Sequence, residues 1–529
     1  MPSSAEHSCP VGSSTGSGGR RTSWPATFLL AFVVLGTWAL ASAPYGVADE
    51  PAHVVKAAAV ARGDLSTAVQ WRTALGARVP ATVVSVPRGY VADLGPCDAS
   101  GAPITCQPRP GRSSGSRVHT VTYVGTYPPV FYLIVGLPSV VLPPDPGLVA
   151  MRLVAAAAAA ALVTAAWTSL TRSGGGPLAL VGLLAAWPPA AMSLAGSVNP
   201  SGLELAAAIA AWAAAFEVFG GDVGGPTDDG ADASPVSTAA VVRLVTASSL
   251  LAWTRPLGPA FALFILGVVA FGAGRRRMLE VLRQPRVRTG LAVTAALLGA
   301  AVVYVLAVGA PSALIQDSGP FDPPLQRVRG SLAQTGTLWH EAVARTGWRG
   351  TSPARAPAWS ATLWLGLAAG IVTTGFVRSS ARWRVALLGI LAAGFFLPVT
   401  GALRSPGVTW QGRYALPLLV GLPLLGGLMS DRRRSGRRVE RGAAVAAAAS
   451  LGALGFIGLQ AHQARQSRGA DRSPFAAMTD TQVAGWWLSP RSLSIVAALV
   501  TVALVVAAVR TTRSSAARSS PPQEARPRS

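Results

Sequence analysis

The chain has 529 residues, of which 50% are hydrophobic and only 13% charged, and a net charge of +23 from 45 Lys+Arg against 22 Asp+Glu. A soluble domain carries about 25% charged residues, so a single water-soluble globule is excluded. The arginines sit in short loops between apolar runs and not along one face, which argues for topology signals and against nucleic-acid binding.

Residues 1–23 are Ser/Gly-rich and read as a disordered cytoplasmic tail. Apolar runs, most of about 18 to 23 residues and so long enough for a bilayer core, predict crossings at 24–46, 149–171, 177–196, 202–219, 239–253, 257–273, 289–309, 359–377, 385–403, 414–429, 443–460 and 493–509. The expected fold class is therefore all-α, a polytopic transmembrane protein of about 12 crossing helices with external loops. A further apolar stretch, 127–142, carries Pro128, Pro129 and Pro138 and reads as a re-entrant or interfacial helix.

Arginine-rich loops at 275–288, 378–384 and 432–441, with Arg20-Arg21 and the tail from Arg510, put both termini in the cytoplasm of a multi-pass cell-membrane protein. Segments 47–126, 311–358, 404–413 and 461–490 then lie outside, and the acidic, Gly-rich stretch 220–235 is a flexible cytoplasmic linker. The organisation expected is a tail (1–23), a transmembrane module (24–460), an external segment with the last helix (461–509) and a basic tail (510–529). Ala41-Ser42-Ala43 imitates a secretory cleavage site, but the preceding apolar run exceeds a signal core and Pro44 follows directly, so an uncleaved first helix is preferred. Cys97 and Cys106 share the first external loop, where an oxidising compartment allows them to form a disulfide.

The first stretch that can carry chemistry is Asp49-Glu50-Pro51-Ala52-His53-Val54-Val55-Lys56, directly after the first crossing. Asp49 is a natural N-cap and Pro51 fits a first turn, which predicts an interfacial helix over 52–62. The i, i+3 spacing of Glu50, His53 and Lys56 then lines carboxylate, imidazole and ammonium along one edge. The plain alternative is a capped helix with solvated charges. In Tyr127-Pro128-Pro129-Val130-Phe131-Tyr132 the prolines stiffen the chain and the tyrosines suit the interface. Asn199-Pro200-Ser201-Gly202-Leu203-Glu204 is a turn followed by an acid in a first helical turn, whose burial requires a partner.

Arg255 and Arg413 end helices on the same side as Asp49, and Gln411 and Tyr414 flank the latter. Planar guanidinium donors suit a phosphate, although either arginine can instead anchor to lipid headgroups. There is no G-x-x-x-x-G-K-[ST], H-E-x-x-H or C-x-x-C, so no cofactor is expected. Asp49, Glu50 and His53 offer three adjacent ligand types for a divalent metal, but no second cluster joins them, and no metal is assigned.

Together these motifs, Asp-Glu-Pro-x-His, Tyr-Pro-Pro-x-x-Tyr, Ser-x-Asn-Pro, Arg-Pro and Gln-Gly-Arg-Tyr, resemble a family of uncharacterised bacterial polytopic membrane proteins, common in actinobacteria, over about 49–414. That family is similar in turn to the C-class (GT-C) integral-membrane glycosyltransferases. The resemblance implies an acidic catalytic residue in the first external loop, matched by Asp49 and Glu50, and a polyprenyl-phosphate sugar as donor. It also implies a Pro-Pro element, matched by Pro128-Pro129, and a large later external loop, matched by 311–358. One departure is that Ser201 stands where a second acid is expected, with Glu204 close by as a substitute.

The function expected is transfer of a sugar from a polyprenyl-phosphate donor to an envelope glycan, lipid or protein on the outer membrane face. Asp49 would be the general base, oriented by Glu50 or His53. Arg413, Arg255 and Lys56 would hold the donor phosphate, and Tyr127, Tyr132, Asn199, Glu204, Gln411 and Tyr414 would line the substrate. The rivals are a transporter or flippase of lipid-linked glycans, and a non-catalytic envelope-assembly protein, which Ser201 favours.

Overall fold

Alanine and glycine set how closely the helices of this chain approach. The structure is a computed structural model that describes residues 23–74, 77–92, 110–111, 115–220, 235–309, 322–347, 358–404, 410–432, 438–469, 473–482 and 487–519. Cys97, Cys106 and all but the ends of the expected linker at 220–235 lie outside the described residues.

The elements run α1 (Trp24–Leu40), α2 (Glu50–Val60), β1 (Val69–Ala74), β2 (Ala77–Pro87), β3 (Arg117–Thr122), α3 (Val130–Gly136), α4 (Pro138–Val141), α5 (Pro144–Arg172), α6 (Pro177–Ala185) and α7 (Pro189–Ala195). They continue with α8 (Pro200–Phe219), α9 (Thr238–Ala252), α10 (Gly258–Leu282), α11 (Pro285–Ala307), α12 (Pro324–Ala333), α13 (Thr335–Ala344), α14 (Ala358–Arg378), α15 (Ala381–Arg404), α16 (Leu416–Leu419), α17 (Gly421–Arg432), α18 (Arg438–Arg468) and α19 (Pro490–Ser519). Proline opens many of these helices, where its missing N–H leaves no bond unmade.

Among the described residues, eight helices are long and apolar enough to cross a membrane: α5, α8, α10, α11, α14, α15, α18 and α19. A ninth crossing results if α6 and α7, bent by 71° at their junction, form one broken span. The helices at the remaining expected crossings are shorter than 18 residues. α1 has 17 residues and α9 has 15, while 414–429 divides into a 3-10 turn (Gly412–Tyr414), α16 and α17. The α3–α4 stretch, Val130–Val141, would reach about 18 Å at 1.5 Å per residue, short of a core of about 30 Å. It turns Leu133, Leu137, Val140 and Val141 outward and Phe131, Tyr132 and Val135 inward.

α8 is the hub. Its apolar window is 94% buried, against 28% for α11, α14, α15 and α19, and its alanine-rich face packs against the alanine run of α5. Small side chains let the two backbones approach, which supplies packing where lipid offers no hydrophobic contrast. At the α14–α17 crossing a Cβ on Gly375 would stand 2.4 Å from Gly426 Cα, so only glycine fits there. Asp431 at the end of α17 accepts from Gly176 N and Ala179 N, both at 2.7 Å, and so satisfies the open N-terminus of α6.

Two features depart from the expected all-α class and its loops. Residues 69–122 contain an antiparallel sheet in the order β1-β2-β3, with Thr82 paired to Val69 on one side and Thr122 on the other. Val84 and Val86 on its inner face are buried against α2, the period-2 burial of a half-covered sheet. Second, α18 continues through 461–468, which had been expected as an external loop, and buries His462, Gln463 and Gln466.

Candidate functional site

The polar residues singled out at the helix ends converge at one end of the bundle, around the link from α1 to α2. That link is fastened from two sides. Arg152, three residues before the alanine run of α5, donates to Ser42 O at 2.6 Å, Ala43 O at 2.7 Å and Ala39 O at 3.2 Å. From α18, Gln466 accepts from Ala43 N at 3.3 Å and donates to Gly46 O at 3.0 Å, and His462 Nε2 stands 2.9 Å from Ser42 Oγ. The imitation of a cleavage site at 41–43 is thus buried inside the bundle. Within this link Tyr45 and Asp49 adopt left-handed backbone, with φ of 59° and 62°, a conformation that costs a non-glycine residue about 1 kcal/mol or more and persists only where the surroundings impose it.

The turn at Asp49 sends adjacent carboxylates in different directions. Glu50 is fully buried and accepts from Arg152 Nε at 2.8 Å, Arg152 Nη2 at 2.6 Å and Val198 N at 3.1 Å. Asp49 keeps a quarter of its side chain exposed, accepts from Tyr123 Oη at 2.9 Å and is ion-paired to Arg413. Burial pushes the Asp49 carboxyl up, but Arg413 and His53, with the hydrogen bonds from Arg413 and Tyr123, outweigh it and hold the group below the usual carboxylate range. Asp49 stands at the N-cap position without a side-chain cap bond, and α2 behind it is buried along its length. The plain alternative, a capped helix with solvated charges, is therefore not what the structure has: α2 is packed.

On α2, His53 Nδ1 lies 2.9 Å from Tyr132 Oη, and its ring contacts Tyr132 and Tyr127 with centroids 5.9 and 6.0 Å away. Burial, with Asp49 opposing and Arg255 and Arg413 adding to it, pushes the imidazole down to about 3, so it is neutral at physiological pH. Lys56 turns to the sheet side, where Nζ donates to Gly125 O at 2.6 Å. Burial, partly offset by Asp64, lowers it to about 8. The expected edge of Glu50, His53 and Lys56 does not exist as one surface, because the three side chains serve three different neighbours.

The arginines form the other half of the site. Arg255 Nη1 donates to Glu204 Oε2 at 3.2 Å and Ser201 Oγ at 3.3 Å, and Nη2 reaches Tyr127 Oη at 3.5 Å. The Tyr414 ring takes the guanidinium of Arg255 at 5.1 Å and that of Arg413 at 5.5 Å. Among the described residues, Glu204 Oε1 and Arg413 Nε are buried without a hydrogen-bond partner, a costly arrangement. Asn199 is structural: it caps α8 through Ser201 N at 2.9 Å and donates to Ala48 O at 2.8 Å. Gln411 precedes the 3-10 turn that presents Arg413.

Of the expected residues, the structure thus gathers Asp49, His53, Tyr127, Tyr132, Glu204, Arg255, Arg413 and Tyr414, and sets Glu50, Lys56 and Asn199 apart as supports. Arg152, Tyr123 and Gln466 were not anticipated. Arg152 had a legible signal, a lone ionisable group within an apolar span; the other two had none. Among the described residues no three His, Cys, Asp or Glu side chains are grouped to hold a metal, and Glu50, turned to Arg152, does not join Asp49 and His53.

No curated protein matches the chain. Residues 32–422, which include both halves of this site, match the predicted membrane protein family DUF2142. The chain, a largely helical protein with several apolar helices of spanning length, belongs to the DUF2142 family of membrane proteins.

Proposed function

We propose that this protein is a membrane glycosyltransferase that moves a sugar from a polyprenyl-phosphate donor to an envelope acceptor on the outer face of the cytoplasmic membrane, as its motifs' resemblance to the GT-C enzymes implies. The observation that carries the reading is Asp49: an ionised carboxylate beside two arginines that share one tyrosine ring.

In this reading Asp49 takes the proton of the acceptor hydroxyl as its oxygen bonds to the anomeric carbon. The bond from that carbon to the phosphate oxygen breaks, and the electron pair leaves with the lipid phosphate. In the same reading Arg413 and Arg255 hold the charge that develops there; the unpartnered Nε of Arg413 among the described residues supports this assignment. Neutral His53 fixes Tyr132 and Tyr127, while Glu50 supports the loop and takes no part in the proton transfer.

The test is deletion of the gene, restoration as wild type or as Asp49→Asn, and mass spectrometry of lipid-linked sugars and envelope glycans. One polyprenyl-phosphate sugar is expected to accumulate and to be cleared by wild type alone. Equal clearance by both versions would remove the proposal. A second reading, transport of a lipid-linked glycan, draws on the 71° break between α6 and α7, since transporters use broken helices. Substrate-dependent flux in proteoliposomes with the Asp49→Asn protein would favour it.

A further inference from the structure

α10 starts three residues after Arg255 and runs straight for about 24 Å, away from the Asp49 site, before it breaks. At Gly274 the backbone turns left-handed, with φ of 81°, and the helix resumes at Arg275. Arg275, Arg276, Arg277, Arg283, Arg286 and Arg288 follow, with Glu280 the one acid among them. We propose that this end of the bundle, opposite the Asp49 site, holds the phosphate headgroup of an anionic phospholipid, with Arg275, Arg276 and Arg283 of α10 and Arg286 of α11 as its contacts. The proposal is independent of the transferase reading.

Charge selects the partner. Glu280 is shared by Arg276 at 3.1 Å and Arg277 at 3.8 Å, so one carboxylate answers a cluster in which residues 275, 276, 283, 286 and 288 are exposed. The neighbouring helix adds to the excess. Gly272 has no side chain to hold off the Trp383 ring, so α15 comes close enough to set Arg382 beside the break at Gly274. Arg275, Arg276 and Arg277 also open the resumed helix, the end where the backbone dipole disfavours cations and favours an anion. Guanidinium groups bind phosphate oxygens bidentately, and basic segments at a membrane surface draw acidic lipids to it.

The apolar neighbours of these arginines decide which phosphate is within reach. Leu279, half exposed, lies one turn from Arg275 and one turn from Arg283, on the same face as both. Arg286 heads the face of α11 that exposes Val293 and Leu297, and Phe271 is exposed on α10 just before the break. Both helices have spanning length, so these side chains face lipid. The arginines thus stand at the edge of a lipid-facing surface, where the nearest phosphate belongs to a lipid and not to a soluble anion.

The test places the full chain in phosphatidylcholine nanodiscs with a trace of spin-labelled phosphatidylglycerol or, separately, spin-labelled phosphatidylcholine, and reads the motionally restricted fraction of each label. Phosphatidylglycerol is expected to be retained about twofold or more over phosphatidylcholine, and Arg275→Gln, Arg276→Gln and Arg283→Gln together to bring the two to parity. Arg286→Gln with Arg288→Gln keeps the test decisive if the triple variant loses its fold, and Arg329→Gln, on α12, should change nothing. Equal retention of both lipids, a preference untouched by either set, or one lost equally with Arg329→Gln would overturn the proposal. So would abolition of the preference by inorganic phosphate at matched ionic strength, which would mark a site for the free anion. A preference that emerges only after Asp222, Asp228, Asp229 and Asp232 are all replaced by Asn would also overturn it, since the patch would then serve the chain's own acidic stretch, whose neighbour Val236 donates to Gln284 Oε1 at 2.9 Å.

Discussion

Arg152 Nη2 lies 2.6 Å from Glu50 Oε2 in the buried interior, while Asp49, one residue earlier, pairs with Arg413. The left-handed backbone at Asp49 is what separates the two carboxylates, and the pair beneath it holds that backbone in place. Removing one partner leaves an uncompensated buried charge, which costs about 3–5 kcal/mol. Arg152→Ala and Glu50→Ala are each expected to lower the melting temperature and membrane abundance sharply. The double substitution Glu50→Gln with Arg152→Met should cost less than the sum of its single changes, as a thermal-challenge chromatography assay would measure.

Asp49→Asn should behave differently. The carboxylate is a quarter exposed and Arg413 a tenth, so the neutral isostere, which keeps the shape of the pair, is expected to cost less than breaking the fully buried Arg152–Glu50 pair. Turnover should nevertheless be lost. A melting temperature above those of Arg152→Ala and Glu50→Ala, together with abolished clearance of the lipid-linked sugar, is the expected combination.

His53 and Lys56 give the fold opposite ends of a pH profile. His53 stays neutral down to about 3 when folded, whereas its unfolded value is 6.5. The unfolded state therefore binds the extra proton between those values, and stability falls as pH drops from 6.5 toward 3, by up to about 1.4 kcal/mol per pH unit. Comparing the melting temperatures of wild type and His53→Gln between pH 4 and 7 should show a shallower slope in the variant.

For Lys56 the folded value of about 8 lies below the unfolded 10.5. Here too the unfolded state holds more protons between the two values, so stability rises as pH increases from 8 to 10.5. Lys56→Met should flatten that rise. A wild-type-like rise in the variant would show that the ammonium is not the titrating group.

Gly375→Ala tests the tightest helix crossing. The added methyl would meet Gly426 at 2.4 Å, and overpacking of this kind costs about 1–3 kcal/mol. Gly366→Ala, on the same α14 helix where nothing lies within 4 Å of the added carbon, should leave the melting temperature unchanged.

Much of this site was legible as residues, and less of it as geometry. Hydropathy located the long spans, and the motif at 49–56 together with Tyr127, Arg255 and Arg413 pointed to one end of the molecule, where the structure joins them through Tyr414. The direction of each side chain was not legible, because Glu50, His53 and Lys56 do share a regular helix, but α2 is buried along its length and each of them meets a different neighbour. The sheet was missed because Thr82-Val83-Val84-Ser85-Val86 is a short apolar run beside a long stretch rich in Gly, Pro, Asp and Ser. The inward polar face of α18 was missed because Gln460, His462, Gln463 and Gln466 lower the apolar signal while lying buried.

The riveting of the α1–α2 link has a mechanical consequence. α1 has 17 residues, or about 26 Å of helix, and its two ends are held very differently. Its Asp49-proximal end is bolted to α5 and α18 by Arg152, His462 and Gln466, whereas Trp24 at the other end is half exposed. Movement of α1 is therefore expected at its Trp24 end, leaving the turn that carries Asp49 fixed to α5 and α18.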